Sequence, residues 1–367
     1  MSSELTVDLW EYLASTDKTV VMYGMGNGAD KILAACSEKG IVVSDFFASD
    51  GFVRGHFFHG KRVLSWSETK EKYGADRLIV LLSFGTSRED VLQTIQSVAR
   101  DAELYAPDVP AFGDGLFDLA FARAHAKELQ EAYALLSDDE SRRIFENVVK
   151  YKLTGRIGYL LDAVSDPDTV MRELVEPQRI RTAADLGAYN GDTVRQLLDF
   201  PYSALQKIWA MEPDARNFRK LKAYADAEAR ATVLPFAKGA WREQTTLYFD
   251  GSGNRNASFG TNRSETLASR PVKLTEIAAD TLDNIMNGES VEYIKFDVEG
   301  SEREAIMGSA ATIRATHPTL MVSLYHRNED LFSLPLLVHQ VFPAYKHFYL
   351  RRFAGVPAWD LNLYCKR

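Results

Sequence analysis

The feature that most constrains this chain is residues 181–193, RTAADLGAYNGDT, where a short apolar run ends at Asp185 and two glycines, Gly187 and Gly191, lead into Asp192 and Thr193. The pattern predicts a buried strand, a tight turn and then a helix whose free N–H groups face a ligand position. Glycine belongs where backbone takes a positive φ or lets another group come close, because a Cβ collides in either case. A carboxylate at the end of the strand can then accept from an amine or a pair of hydroxyls. The same spacing also closes a strand-to-helix turn that binds nothing, so its meaning depends on the segments around it.

A chain of 367 residues exceeds what one hydrophobic core usually covers, which predicts two domains. A net charge of −8, acidic in both halves, excludes nucleic acid as the main partner, since phosphate binding rests on a basic face. Cys36 and Cys365 lie too far apart in sequence to suggest a disulfide framework or a metal cluster, and reduced thiols are the simplest reading. The start of the chain is polar and acidic, unlike a secretory signal, and no uncharged apolar run reaches membrane length. A cytoplasmic protein without a membrane partner is expected, and a homodimer is compatible with this composition.

Residues 19–23, TVVMY, are a β-branched run leading into Gly24, Gly26 and Gly28 and an amphipathic segment that closes at Gly40. Two further strands, one ending near Asp50 and one at RLIVLLSFG, alternate with helices, as in a small α/β domain with a parallel sheet. The glycines read G-x-G-x-G rather than G-x-G-x-x-G, although Asp45 or Asp50 stands at about the distance of a ribose-binding acid. That leaves a dinucleotide site open, while a turn that merely fits its helix is favoured. His56 and His59 belong in a turn of this sheet, with no third metal ligand nearby. Residues 107–178 then take the helical period, with Ser137 as expected N-cap and Glu140 three residues on.

The second α/β unit opens at residue 181. KIWAMEP places a strand end at Glu212 before Pro213, TVLPFAKGAW and TTLYF read as its third and fourth strands, and residues 251–264 form a polar glycine-rich loop suited to a lid. VEYIKFDVEGSEREAIM is again strand, acidic turn and helix, and FYLRRF with DLNLYCKR predicts a closing antiparallel pair. Arg351 and Arg352 in that pair suit either an anionic substrate or the protection of an edge strand. Asp185, Glu212 and Asp297 thus fall at the carboxyl ends of successive strands, the edge at which open α/β sheets bind ligands. The 27 residues from Asp185 to Glu212 fit one helix and one return strand, which brings Glu212 beside the glycine turn.

With DLGAYNGDT, MEPDARNFRKL, YIKFDVEGSEREAIMG and HPTLMVSLYHRNEDL in view, followed by Pro335 and Tyr345, the chain resembles the FkbM family of S-adenosylmethionine-dependent methyltransferases. The resemblance runs from about residue 137 to the C-terminus, and YIKFDVEGSE is its most specific piece. It implies two Rossmann-like α/β units joined by a helical connector, the second a seven-stranded methyltransferase sheet, with residues 1–106, 107–178 and 179–367 as the three parts. It further implies a cofactor pocket of Asp185, Gly187, Ala188, Tyr189, Gly191, Asp192 and Thr193, with Glu212 and Pro213 at the ribose, Ala237 and Lys238 near adenine, and Asp297 where cofactor and substrate meet. Tyr325, Glu299 and Arg327 fall on the substrate side. Residues 251–264 match nothing in the family and are the expected seat of substrate choice.

Methyl transfer to oxygen is an in-line displacement, so the acceptor must be held about 3 Å from the methyl and lose its proton. Asp297 and His326 are the candidate bases, and His326, with an ordinary pKa of about 6.5, is expected neutral at working pH. A divalent metal on Asp297 and Glu299 is the less favoured route, because carboxylates two residues apart on a strand point to opposite faces unless the strand has already ended. Glu299 otherwise reads as a helix-start carboxylate, with Ser301 and Glu304 forming a cap. The expected activity is O-methylation of a sugar or natural-product hydroxyl. A non-catalytic nucleotide-binding or docking protein is the alternative from another class, and a nicotinamide enzyme is disfavoured because the first unit has no hydride-site pattern.

Overall fold

A computed structural model of the protein describes residues 5–53, 55–250, 259–260 and 274–367. The first unit contains β1 (Thr19–Tyr23), β2 (Val43–Ala48), the hairpin strands β3 (Phe57–Phe58) and β4 (Lys61–Arg62), β5 (Leu64–Ser65), β6 (Leu78–Leu82) and β7 (Glu103–Tyr105). Five of these make a parallel sheet in the order β5-β2-β1-β6-β7. Every residue of β6, LIVLL, is buried, as expected of a central parallel strand covered on both faces.

The glycine turn after β1 is a packing turn. A Cβ on Gly28 would lie 2.2 Å from the Ser83 carbonyl oxygen, and one on Gly24 would meet Phe84 and Ser83 at 2.7 Å. Both acids suited to a ribose are engaged within the unit: Asp45 accepts from Lys72 Nζ at 2.7 Å and Tyr73 Oη at 2.5 Å, and Asp50 from Ser67. His59 lies in the turn between β3 and β4 and contacts Asp30 at 2.6 Å.

The helical segment corrects one expectation. Asp138, not Ser137, is the N-cap of the helix Asp139–Thr154, and its side chain accepts from Ser141 N. Ser137 instead accepts from Phe348 N through its Oγ, and Ser141 Oγ accepts from Leu350 N. The connector thereby supplies partners to an edge strand whose N–H groups would otherwise lie open. Ile144, Phe145, Val148, Val149, Tyr151 and Leu153 on this helix are all buried.

The second unit holds β8 (Thr182–Leu186), β9 (Lys207–Met211), β10 (Thr232–Phe236), β11 (Gly239–Ala240), β12 (Thr245–Asp250), β13 (Phe259–Gly260), β14 (Leu274–Asp280), β15 (Tyr293–Phe296), β16 (Thr319–Ser323), β17 (His347–Arg352) and β18 (Leu361–Lys366). Seven strands run in the order β10-β9-β8-β15-β16-β18-β17, parallel except for β18, which pairs antiparallel with both neighbours. The closing antiparallel pair is therefore present. TTLYF is not a strand of this sheet: β12 joins β11, β13 and β14 in a separate four-stranded sheet. Of residues 251–264, all but Phe259 and Gly260 lie outside the described residues.

Arg351 and Arg352 neither face a ligand nor guard an open edge. Arg351 is buried against Asp138 and Glu140 of the connector, with Nη2 2.5 Å from Asp138 Oδ2. Arg352 is fully buried and donates to the carbonyls of Leu160, at 2.7 Å, and Gly355. Burial pulls its pKa down to about 10, so it stays charged at neutral pH. Alternation along β17 could not reveal this, because the residues covering the edge come from a segment some 200 positions earlier in the chain.

One apolar core runs through both units, containing Val80 and Leu104 of the first sheet, Phe145 and Val148 of the connector, and Leu186, Phe296 and Val322 of the second sheet. The units meet at their carboxyl rims, where Thr86 and Val356 exchange backbone hydrogen bonds of 2.8 and 3.0 Å, and Phe112 N donates to His326 O at 3.0 Å. Both free thiols, Cys36 and Cys365, are buried. No helix among the described residues is long and apolar enough to cross a membrane.

Replacing Arg352 by Ala strips a cation from buried carbonyls and leaves a cavity, and it should cost about 3 kcal/mol. Urea unfolding followed by circular dichroism tests this; a loss under about 1 kcal/mol would show that Arg352 does not tie the connector to the sheet.

Candidate active site

The turn after β8 is shaped by a close approach. Gly187 takes φ +89°, and a Cβ there would lie 1.9 Å from the Asp297 carbonyl oxygen, so only glycine lets β8 and β15 converge at this point. Gly187 N and Ala188 N both donate to Met211 O, at 3.0 and 2.9 Å, which locks the turn to β9. Gly191, at φ +85°, caps the helix Asp192–Asp199, and Tyr189 at φ +45° stands out from the turn, 45% exposed. Asp192 is exposed beside it and Thr193 is buried.

Glu212, at the end of β9, is 6% exposed and held by two backbone donors, Tyr189 N on Oε2 and Asp214 N on Oε1, both at 2.8 Å. Burial disfavours its charge more than these N–H groups favour it, and its pKa is pushed up to about 7. The sheet therefore brings Glu212 against the glycine turn, with Pro213 next to it. Ala237 is exposed just beyond β10, whose Phe236 carbonyl accepts from Glu212 N at 3.0 Å. Lys238 is committed to Asp280, at 2.6 Å.

Asp185 is fully buried, and burial raises its pKa against the pull of Lys295. Lys295 Nζ lies 3.1 Å from Asp185 Oδ1, 3.2 Å from Gly187 O and 3.5 Å from Asp297 Oδ2. Burial alone would lower the Lys295 pKa, but Asp185 and Asp297 raise it well above the usual lysine range. Lys295 was not singled out by the sequence reading, although its position two residues before Asp297 puts both on one face of the strand end.

Asp297 accepts from Tyr325 Oη at 2.9 Å. Burial would raise its pKa, yet Lys295, His326 and the Tyr325 hydroxyl hold it below the usual carboxylate range. His326 is 1% exposed, with Nδ1 2.8 Å from Glu302 Oε1 and Nε2 3.5 Å from Glu299 Oε2 and 3.7 Å from Asp297 Oδ1. Burial pushes this imidazole down, but the surrounding carboxylates, Glu302 foremost, win and carry it up to about 9. These carboxylates favour the protonated imidazole, against the expectation of a neutral His326. A sequence reading weighs a histidine against its neighbours in the chain, and Glu302 comes from a helix 24 residues away.

Glu302 was the other residue missed. The expected cap does not form: Ser301 makes no side-chain cap, and Glu302 Oε1 instead accepts from Val298 N at 2.9 Å. Arg327 spans the same turn, its Nε donating to Gly300 O at 2.8 Å. Asp330, with its pKa pushed up to about 8 by burial and by Glu302, accepts from Arg327 N. Phe112 of the connector closes over the group, 5.7 Å ring to ring from His326 and packed where a Gly300 Cβ would stand. A separate cleft of about 840 Å³ lies at the amino ends of the first sheet's strands beside Lys18, Glu103 and Arg156.

Residues 185–349 match the family model of the methyltransferase FkbM domain. No curated protein matches the chain. Its fold is similar to the crystal structure of the methyltransferase FkbM from Methylobacillus flagellatus KT, at 19% identity and a TM-score of 0.69, over 95% of this chain and 90% of that one. An rRNA methylase from Streptococcus thermophilus (11% identity, TM-score 0.31, 51% of this chain and 86% of that one) and Aeropyrum pernix fibrillarin in complex with S-adenosyl-L-methionine (11%, 0.33, 54% and 72%) align with about half of the chain. The family match begins at Asp185 and takes in Glu212, Asp297 and His326, so that residues 185–349 of this chain are similar to the methyltransferase FkbM domain.

Proposed function

We propose that this domain moves a methyl group from S-adenosylmethionine to a hydroxyl oxygen of a small-molecule or glycan acceptor. The observation that carries the reading is the convergence of Gly187, Glu212 and Asp297 on one rim of the sheet, with Asp297 packed against the glycine turn. The residues fit the cofactor: the turn leaves no room for a Cβ, Asp185 Oδ2 is buried without a hydrogen-bond partner, and Glu212 is fixed at the rim by two amides. Residues 185–193 would hold the amino-acid part, Glu212 with Pro213 the ribose, and Ala237 with Lys238 the adenine side.

When bound, the cofactor supplies an electrophilic methyl on a sulfonium. Asp297 orients the acceptor hydroxyl and takes its proton as the new O–C bond forms. Tyr325 and Lys295 aim that carboxylate and keep it ionised. His326 is no base at neutral pH; its positive charge offsets the carboxylates packed around it. Tyr325, Glu299 and Arg327 lie on the acceptor side of this rim.

The reading is tested by incubating the protein with a trideuteromethyl donor and a panel of hydroxylated acceptors and weighing the products. Replacing Asp297 by Asn should lower turnover by about 100-fold or more while S-adenosylhomocysteine affinity changes less than about threefold. Transfer to nitrogen or carbon acceptors alone would contradict it.

A second expectation concerns pH. Glu212 accepts two ribose hydroxyls best when ionised, and protonation turns one of its acceptors into a donor. Because its pKa stands at about 7, S-adenosylhomocysteine affinity should be level above that pH and fall by up to about tenfold per unit below it. Calorimetric titration between pH 5.5 and pH 8.5 reads this, and the Glu212→Gln variant should bind weakly with no such slope. A flat wild-type profile would remove Glu212 from the ribose.

A further inference from the structure

We propose that Asp297, Glu299 and His326 bind a divalent cation of the Mn²⁺ or Mg²⁺ class, with Glu302 orienting the imidazole. The geometry meets the condition that an extended strand would fail. β15 stops at Phe296, and Glu299 at φ +54° and Gly300 at φ +86° turn the chain back on itself. Both carboxylates then reach the same nitrogen, with Asp297 Oδ1 and Glu299 Oε2 at 3.7 and 3.5 Å from His326 Nε2. The other ring nitrogen is tied to Glu302 Oε1 at 2.8 Å. A carboxylate that accepts a hydrogen bond from Nδ1–H, and so directs Nε2 at the ion, is the usual second layer of a metal-bound histidine. Ligand atoms of Asp297, Glu302 and His326 all lie within 4.8 Å of one another.

A second observation is independent of that spacing. Glu302 Oε2 is buried and has no hydrogen-bond partner, an arrangement costly for a carboxylate unless positive charge is close. A divalent ion in place of the imidazole proton would bring positive charge to Asp297, Glu299 and Glu302 at once. Two carboxylates with one imidazole suit Mn²⁺, which accepts nitrogen more readily than Mg²⁺ does. The ion would also lower the pKa of an acceptor hydroxyl bound beside it, easing loss of the proton that Asp297 receives. The catalytic role rests on the methyltransfer reading above, whereas the binding does not.

The test uses the full chain, freed of metal by chelation, with Mn²⁺ followed by calorimetry and electron paramagnetic resonance at pH 8. One saturable site per chain is expected, with spin-echo modulation from a directly bound imidazole nitrogen and heats that depend on the buffer because a proton is released. Both His326→Gln and Glu302→Gln should weaken Mn²⁺ by about 10-fold or more, and Asp139→Asn, far along the connector, should not. No saturable site, no nitrogen modulation in the wild type, or equal affinity in His326→Gln would overturn the proposal and leave His326 as an imidazolium within an ion cluster. S-adenosylhomocysteine titrated into the same samples keeps the two readings apart: Mn²⁺ binding without it defeats the methyltransfer reading alone, and the reverse defeats the metal site alone.

Discussion

The site depends on a buried ammonium. Lys295 lies inside the sheet between Asp185 and Asp297, tying β8 to β15 at the point where their backbones come closest. Asp185 is fully buried and Asp297 partly so, and the Lys295 ammonium beside both favours their ionised forms. Removing one partner from such a group costs about 3–5 kcal/mol, because the remaining charges are left uncompensated in a poor solvent. The arrangement is therefore weak as a source of net stability and strong as a constraint: it fixes the register of Gly187 against Asp297, and with it the shape of the rim.

From that rim the charges spread outward in a defined order. Lys295 keeps Asp297 ionised, Asp297 and Glu302 keep His326 protonated, and Glu302 in turn pushes Asp330 toward its neutral form. Each shift is a contest between burial and a partner, and the outcome differs by residue. Glu212 has only backbone N–H groups for support, so burial wins and its pKa rises. Asp297 has two cations and a phenol, so they win and its pKa falls.

Much of this was legible in the sequence. The glycine turn, the strand ends at Asp185, Glu212 and Asp297, the parallel alternation and the closing antiparallel pair all follow from local patterns, since strand period and turn chemistry are set by near neighbours. What escaped depends on long-range approach. Glu302 looks like a helix-start acid until the fold brings His326 beside it, and Arg352 looks like a surface cation until the connector covers β17. Lys295 was hidden for another reason: a charged residue in a buried strand contradicts the apolar pattern, and only its partners explain it. The approach of Asp297 and Glu299 to one histidine nitrogen turned on where β15 stops, the kind of boundary that local pattern places least well.

The central claim is that the carboxyl rim of the second sheet, rather than the glycine turn of the first, receives the adenosyl cofactor. Hydrogen–deuterium exchange of the intact protein with and without S-adenosylhomocysteine tests this most directly. The account predicts slowed exchange in residues 186–193, 212–214 and 297–299, with residues 24–28 unchanged; protection confined to residues 24–28 would contradict it.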